Sequence, residues 1–190
     1  MGRKAGITIQ DIVDTAAAIA DRDGLAAATL SAVSVELGIK TPSLYNHVAG
    51  LAGLRRHLAL YAAGKLTEAF AAATNGLEPG EAIRSAAFAY RSFAAEHPGL
   101  YAALLPAPTQ DEDPELYRAM GSPVEVVAAK LAVLGMGEDQ AIHLIRALRA
   151  LLHGFADLEA KRGFGMPIDL ETSFRRAVDL MIDSLATSST

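Results

Sequence analysis

The stretch Thr29 to Val48, TLSAVSVELGIKTPSLYNHV, decides the reading of this chain. Leu30, Val33 and Leu37 recur at helical spacing behind Thr29, a residue type that caps helix N-termini, and Gly38 closes that run. Gly38-Ile39-Lys40 supplies a short turn. Gly38 tolerates a left-handed backbone, and Ile39 fills the angle between the two helices. Thr41-Pro42 opens the next helix, with Thr at the N-cap and Pro at the first helical position, both favoured there. Leu44, Tyr45 and Val48 are placed to hold it. Two short helices joined at a steep angle by a glycine turn make a helix-turn-helix. The second helix of such a pair enters the major groove N-terminus first. Its expected exposed residues, Thr41, Ser43, Asn46 and His47, are small or polar. Free N–H groups at its start, with Lys40 beside them, suit a phosphate.

Upstream, Ile9, Ile12, Val13, Ala16, Ala17 and Ala20 repeat at helical spacing. Thr8 caps that helix with Asp11 in the capping-box position, and Gly24 ends it. Three short helices are therefore complete by residue 48. Arg3 and Lys4 form a basic arm with the reach for an adjoining minor groove.

The whole chain has 190 residues, 51% of them hydrophobic, no cysteine and a net charge of −5. Disulfides and thiolate metal sites are excluded. A uniformly basic nucleic-acid coat is excluded too, yet residues 1–57 hold six bases (Arg3, Lys4, Arg22, Lys40, Arg55, Arg56) against five acids. A small local basic footprint suits a specific reader. No apolar run follows the basic start, and no uncharged stretch has transmembrane length, so a cytoplasmic protein with no membrane contact is expected.

From about Leu51 the chain turns Ala-, Leu- and Val-rich. The spacing predicts helices near 51–74, 79–96, 98–105, 113–134, 138–162 and 170–186, separated by Gly and Pro punctuation. The fold class is all-α with about nine helices: a helix-turn-helix domain over 1–50 and a larger helical domain over 51–190, joined through a continuous helix. In the last two long helices, Ile145, Leu148, Leu152, Phe174, Val178, Met181 and Leu185 form stripes that fit a four-helix interface between two identical chains. A large monomeric core would leave the same pattern. Tyr90, Phe93, Tyr101, Leu104, Tyr117, Met120, Met136, His143 and Phe155 are candidate linings of a cavity for a small apolar or amphipathic ligand, although such residues also build cores. His153 beside Gly154 reads as a core histidine next to a close helix crossing. Pro106 to Asp113 reads as an acidic surface loop.

GITIQDIVDTAAAIADRDGLAAATLSAVSVELGIKTPSLYNHV resembles the N-terminal domain of the TetR (tetracycline-repressor) family of transcriptional regulators. The resemblance covers about residues 7–60 and includes Gly24, the turn at Glu36-Leu37-Gly38 and the run Ser43 to His47. It implies that Thr29, Ser31, Lys40, Thr41, Pro42, Ser43, Tyr45, Asn46 and His47 face DNA, with Tyr45 and His47 on phosphates. It further implies a homodimeric repressor that binds a palindromic operator and is released by a small-molecule effector, with no cofactor. Two positions depart from the pattern: many members carry Arg where Ser31 stands and Lys where Leu51 stands. Leu152-His153-Gly154-Phe155 with Leu158-Glu159 and Phe164-Gly165 is similar to a subgroup with a Trp-His-Gly signature, Leu152 replacing the Trp.

Other function classes find little support. Five histidines are present, but no HExxH, no carboxylate–His pair at i, i+3, no nucleophile elbow and no phosphate loop occurs, so an enzyme is not expected. A DNA-independent helical interaction protein that kept the small trihelical unit is the alternative, and the two missing bases speak for it.

Overall fold

The computed structural model describes residues 6–187, with side chains through Asp183. Among the described residues every regular element is helical: α1 (Ile9–Asp23), a short 3-10 turn (Leu25–Ala27), α2 (Leu30–Glu36), a 3-10 segment (Thr41–Asn46), α3 (Gly50–Thr74), α4 (Pro79–Glu96), α5 (Pro98–Ala103), α6 (Pro114–Val133), α7 (Glu138–Ala160) and α8 (Leu170–Thr187). With Thr41–Asn46 taken as the third helix and the three-residue turn set aside, the described residues form nine helices, as the expected all-α fold requires. The chain forms two compact units, one comprising the residues up to Lys65 with Glu96–Met120, the other Leu66–Ala95 with the residues from Gly121 on. The division falls inside α3 and α6, both of which run on without a break.

In the first unit, α1 begins with the expected capping box. Asp11 N–H donates to Thr8 Oγ1 at 3.1 Å and Thr8 N–H donates back to Asp11 Oδ2 at 2.8 Å. It ends at Gly24, whose φ of +89° a side chain would resist. Ile12, Ala16 and Ala20 on one face of α1 are fully buried. Against α1 lies α5, and the approach is too close for any side chain: a Cβ on Gly99 would stand 2.1 Å from the Ala20 carbonyl carbon. The Asp21 carboxylate locks this contact. One oxygen accepts the Gly99 and Leu100 N–H groups, each at 2.9 Å, and the other lies 2.8 Å from His97 Nδ1. A carboxylate at the first N–H groups of a helix satisfies donors that have no partner within it.

In the second unit, Arg91 of α4 organises the packing. Its guanidinium bonds Glu159 of α7 through two nitrogens at 2.6 and 2.7 Å and Glu171 of α8 at 2.8 Å. It also stacks 4.9 Å from the Phe174 ring centroid and 5.4 Å from that of Phe155. Arg91 is only 15% exposed, and its pairing holds the Glu159 carboxyl below the usual range. Phe155 in turn packs on Phe174 and Phe164.

Several expectations change here. Leu148, Leu152, Phe174 and Val178 are buried within the chain itself, so the stripe read as a dimer face is the stripe that packs the protomer's own core. Ile145 and Met181 are half-buried, and the side chain of Leu185 lies outside the described residues. Gly154 does not mark a close crossing, since a Cβ there would meet nothing within 4 Å. Among the described residues no helix is long and apolar enough to cross a membrane.

Candidate nucleic-acid interface

The turn between α2 and the Thr41–Asn46 segment follows from three residues. α2 ends in a Schellman arrangement: Ile39 N–H bonds the Ser34 carbonyl at 3.0 Å and Gly38 N–H bonds the Val35 carbonyl at 3.1 Å. The geometry requires a left-handed residue at Gly38, and its φ is +65°. Thr29 caps α2 as expected, accepting from Ala32 N–H at 3.1 Å.

The second arm differs from its sequence reading in one respect. Thr41–Asn46 is a 3-10 segment flanked by Lys40, and Thr41 is not its side-chain cap. The reason is visible in the bonding. The Thr41 hydroxyl lies 2.9 Å from that of Ser34, which itself donates to the Ser31 carbonyl at 2.9 Å. Ser34 is buried, so this hydroxyl pair ties the second arm to the first. Sequence reasoning missed Ser34, although a serine one turn beyond Leu30 on an apolar stripe was a signal that something polar is held there.

Only the apolar residues of the second arm turn inward. Leu44 is 0% exposed and Val48 3%. Lys40, Pro42, Ser43, Tyr45, Asn46 and His47 are all exposed, Tyr45 by 61%. Ser31 on α2 is exposed, whereas Thr29 and Thr41 are half-buried with their hydroxyls engaged. The first unit thus brings seven of the eleven expected contact residues to the surface of one motif. Arg3 and Lys4 lie outside the described residues.

The basic footprint is smaller than the composition suggests. Arg22 pairs with Asp23 at 2.8 Å and Glu36 at 2.7 Å. Arg56 pairs with Asp113 at 2.5 Å and Glu115 at 2.6 Å, and this contact pulls the Asp113 carboxyl down to about 2. Arg55 is half-buried, its Nη1 buried without a hydrogen-bond partner, and burial pushes its pKa down. Among the described residues, Lys40 is an exposed cation beside the motif that no ion pair engages.

The expected ligand contacts divide between the two units. Tyr90, Phe93 and Phe155 are buried and His143 exposed in the second; Leu104 is buried, Tyr101 and Met120 half-buried and Tyr117 exposed in the first. An open groove of about 390 Å³ lies elsewhere in the second unit, lined by Leu77, Glu81, Arg84, Ser85, Phe88, Glu171 and Arg175. Among the described residues, no group of three or more His, Asp or Glu side chains is arranged to hold a metal ion.

A family model described as "Tetracyclin repressor-like, C-terminal domain" matches residues 83–181. The chain is 35% identical over 187 residues to the HTH-type transcriptional regulator YobS of Bacillus subtilis, covering 97% of this chain and 96% of that protein. This chain belongs to the TetR family. A second relative is the HTH-type transcriptional regulator Rv0681 of Mycobacterium tuberculosis, 33% identical over 172 residues, with 90% of this chain and 78% of that protein covered. Among solved structures, the TetR regulator SCO7222 of Streptomyces coelicolor aligns with a TM-score of 0.73 at 17% identity, covering 96% of this chain and 99% of that one. The TetR family protein ActR of the same organism, solved in complex with (S)-DNPA, aligns with a TM-score of 0.70 at 19% identity, covering 97% and 99%. These likenesses carry the TetR fold. The curated relatives are named as transcriptional regulators, and the chain is a TetR-family transcriptional regulator rather than an enzyme.

Proposed function

We propose that the chain is a cytoplasmic repressor that binds a palindromic DNA operator as a homodimer and leaves it when a small molecule occupies the larger helical domain, residues 51–190. The observation that carries this is the division of the Thr41–Asn46 segment. Leu44 is sealed into the core while Ser43, Tyr45, Asn46 and His47 stand in solvent. A short element that spends its apolar residues on anchoring and leaves hydroxyl, amide and imidazole groups outside has the donors and acceptors that base edges and phosphates require. Tyr45 and His47 are assigned to phosphates, with Lys40 as the adjacent charge. Two protomers related by a two-fold axis would set these segments one DNA turn apart. That ActR was solved with (S)-DNPA supports a small-molecule effector in this chain as well. The effector acts by favouring one position of α3, which leads from the reading domain, 1–50, into the sensing domain.

The test is fluorescence-anisotropy titration of purified protein against duplexes selected from a random pool. The proposal expects one selected palindrome bound by two protomers, weakened by salt and lost in the Lys40→Ala/Tyr45→Ala variant. The pairing of Arg22 and Arg56 with carboxylates, among the described residues, favours a second reading, a helical interaction protein that does not use DNA. That protein would select no duplex, and its partner binding would be unchanged in the same variant.

A further inference from the structure

We propose that Arg55, in the second turn of α3, is a phosphate contact of the reading domain, its guanidinium closing on the operator backbone beside the groove that the Thr41–Asn46 segment enters. This rests on the operator-binding reading above and adds a contact to it. α3 begins at Gly50, four residues on from Asn46. Leu54 and Leu58 are fully buried and define the inward face of the helix. Arg55 stands about 100° round from Leu54 and one turn beyond Leu51. Leu51 is 44% exposed, so Arg55 sits at the margin between packed and open surface, and is itself half-buried. Its Cα lies about 6 Å along the axis from that of Leu51. Helical Cα–Cβ bonds tilt toward the N-terminus, so the stem leads back toward the end of α3 that joins the reading segment.

The bonding of Arg55 differs from that of its neighbours. Arg22 and Arg56 are each held by two carboxylates. Arg55 makes neither an ion pair nor a hydrogen bond among the described residues. Its Nη1 is sealed from solvent with no partner, and among the described residues no other buried side-chain nitrogen or oxygen is left in that state. Nε and Nη2 do not share that burial, so the guanidinium is dry on one edge and open on the other. A guanidinium stays protonated at neutral pH, and burial here acts against its charge. The free chain therefore carries an uncompensated cost at Arg55 that an incoming anion relieves. Partial burial also strengthens the attraction, and the planar fork matches the paired oxygens of a phosphate. Duplex DNA sets such oxygens in a row along the edge of the groove that Ser43, Tyr45 and Asn46 are placed to read.

Anisotropy titrations of the full chain on the selected duplex over a salt series, paired with thermal melts, separate charge from packing. Arg55→Met keeps an apolar stem and removes the charge. Its log–log salt slope should be shallower than that of wild type by about 0.9 per subunit. With two protomers bound, a fourfold rise in salt should cost wild type about tenfold more affinity than it costs Arg55→Met. The Tm of Arg55→Met should hold or rise, because an unpaired buried N–H is gone. Arg55→Lys restores the charge and should recover most of the slope. A structural arginine would instead lower Tm on replacement and leave the slope alone. A wild-type slope in Arg55→Met, or a slope that Arg55→Lys fails to recover, overturns this contact and leaves operator binding standing. A wild-type chain that selects no duplex overturns the operator reading and this contact with it.

Discussion

Gly99→Ala is the substitution whose outcome the fold dictates most sharply. The added methyl would lie 2.1, 2.2 and 2.6 Å from the carbonyl carbon, carbonyl oxygen and Cβ of Ala20. Ordinary contact between such atoms is about 3.5–4 Å, and two of the three are backbone, so α1 and α5 must part by more than about 1 Å. Overpacking of this kind costs about 1–3 kcal/mol. Separation also stretches the bonds that Gly99 and Leu100 N–H donate to Asp21, now 2.9 Å each, and a hydrogen bond to a charged group contributes about 1.5–3 kcal/mol. A combined loss of about 3–5 kcal/mol follows, which for a chain of this size lowers Tm by roughly 6–20 °C. Gly64 is the matched control. It lies within α3, is exposed, and a Cβ there meets nothing within 4 Å. Gly64→Ala should hold Tm or raise it, by up to about 1 kcal/mol of helix propensity. Scanning calorimetry of both variants decides the matter. A Gly99→Ala melt within about 2 °C of wild type would refute the close packing of α1 on α5 and the locking role of Asp21.

Leu44→Ala empties a fully buried site beneath the reading segment; thermal unfolding should show a loss of about 2–5 kcal/mol, with operator affinity falling alongside. Arg91→Ala strips two carboxylates and two ring faces of their partner, and denaturant titration should show a loss of at least about 1–3 kcal/mol. The Asp113 carboxyl titrates at about 2 in the folded chain against an ordinary 3.8. A depressed folded pKa gives stability that is full above about pH 4 and lost as pH falls towards 2, so the Tm advantage of wild type over Asp113→Asn should shrink across that window in a pH series of melts. Leu51, exposed at the first turn of α3, is the site for an added phosphate contact. Leu51→Lys should tighten operator binding and steepen its log–log salt slope by about 0.9 per subunit.

The helices were legible because each carries its own start and stop. Thr8 with Asp11, Thr29, Gly24 and Gly38 act within a few residues of themselves, and the caps and turns stand where local chemistry puts them. Long-range partners were not legible. Nothing in sequence spacing says that Asp21 will reach Gly99 and His97, or that Arg56 will be occupied by Asp113 and Glu115, since these pairs span 57 to 78 residues. The apolar stripes of α7 and α8 were ambiguous for a physical reason: a helix shows the same periodicity whether its partner belongs to its own chain or to a copy. Phe174 and Val178 went inward. Thr41 illustrates the limit of capping rules. Its hydroxyl found Ser34, seven residues back, in place of the backbone ahead.

Backbone footprinting of the selected duplex tests the central claim most directly. If the Thr41–Asn46 segments of two protomers occupy successive major grooves, the protein should protect two symmetric patches centred about 34–36 Å apart, and Tyr45→Ala should erase both. A duplex left uniformly accessible at low salt, or protected without regard to sequence and unchanged by Tyr45→Ala, would contradict it.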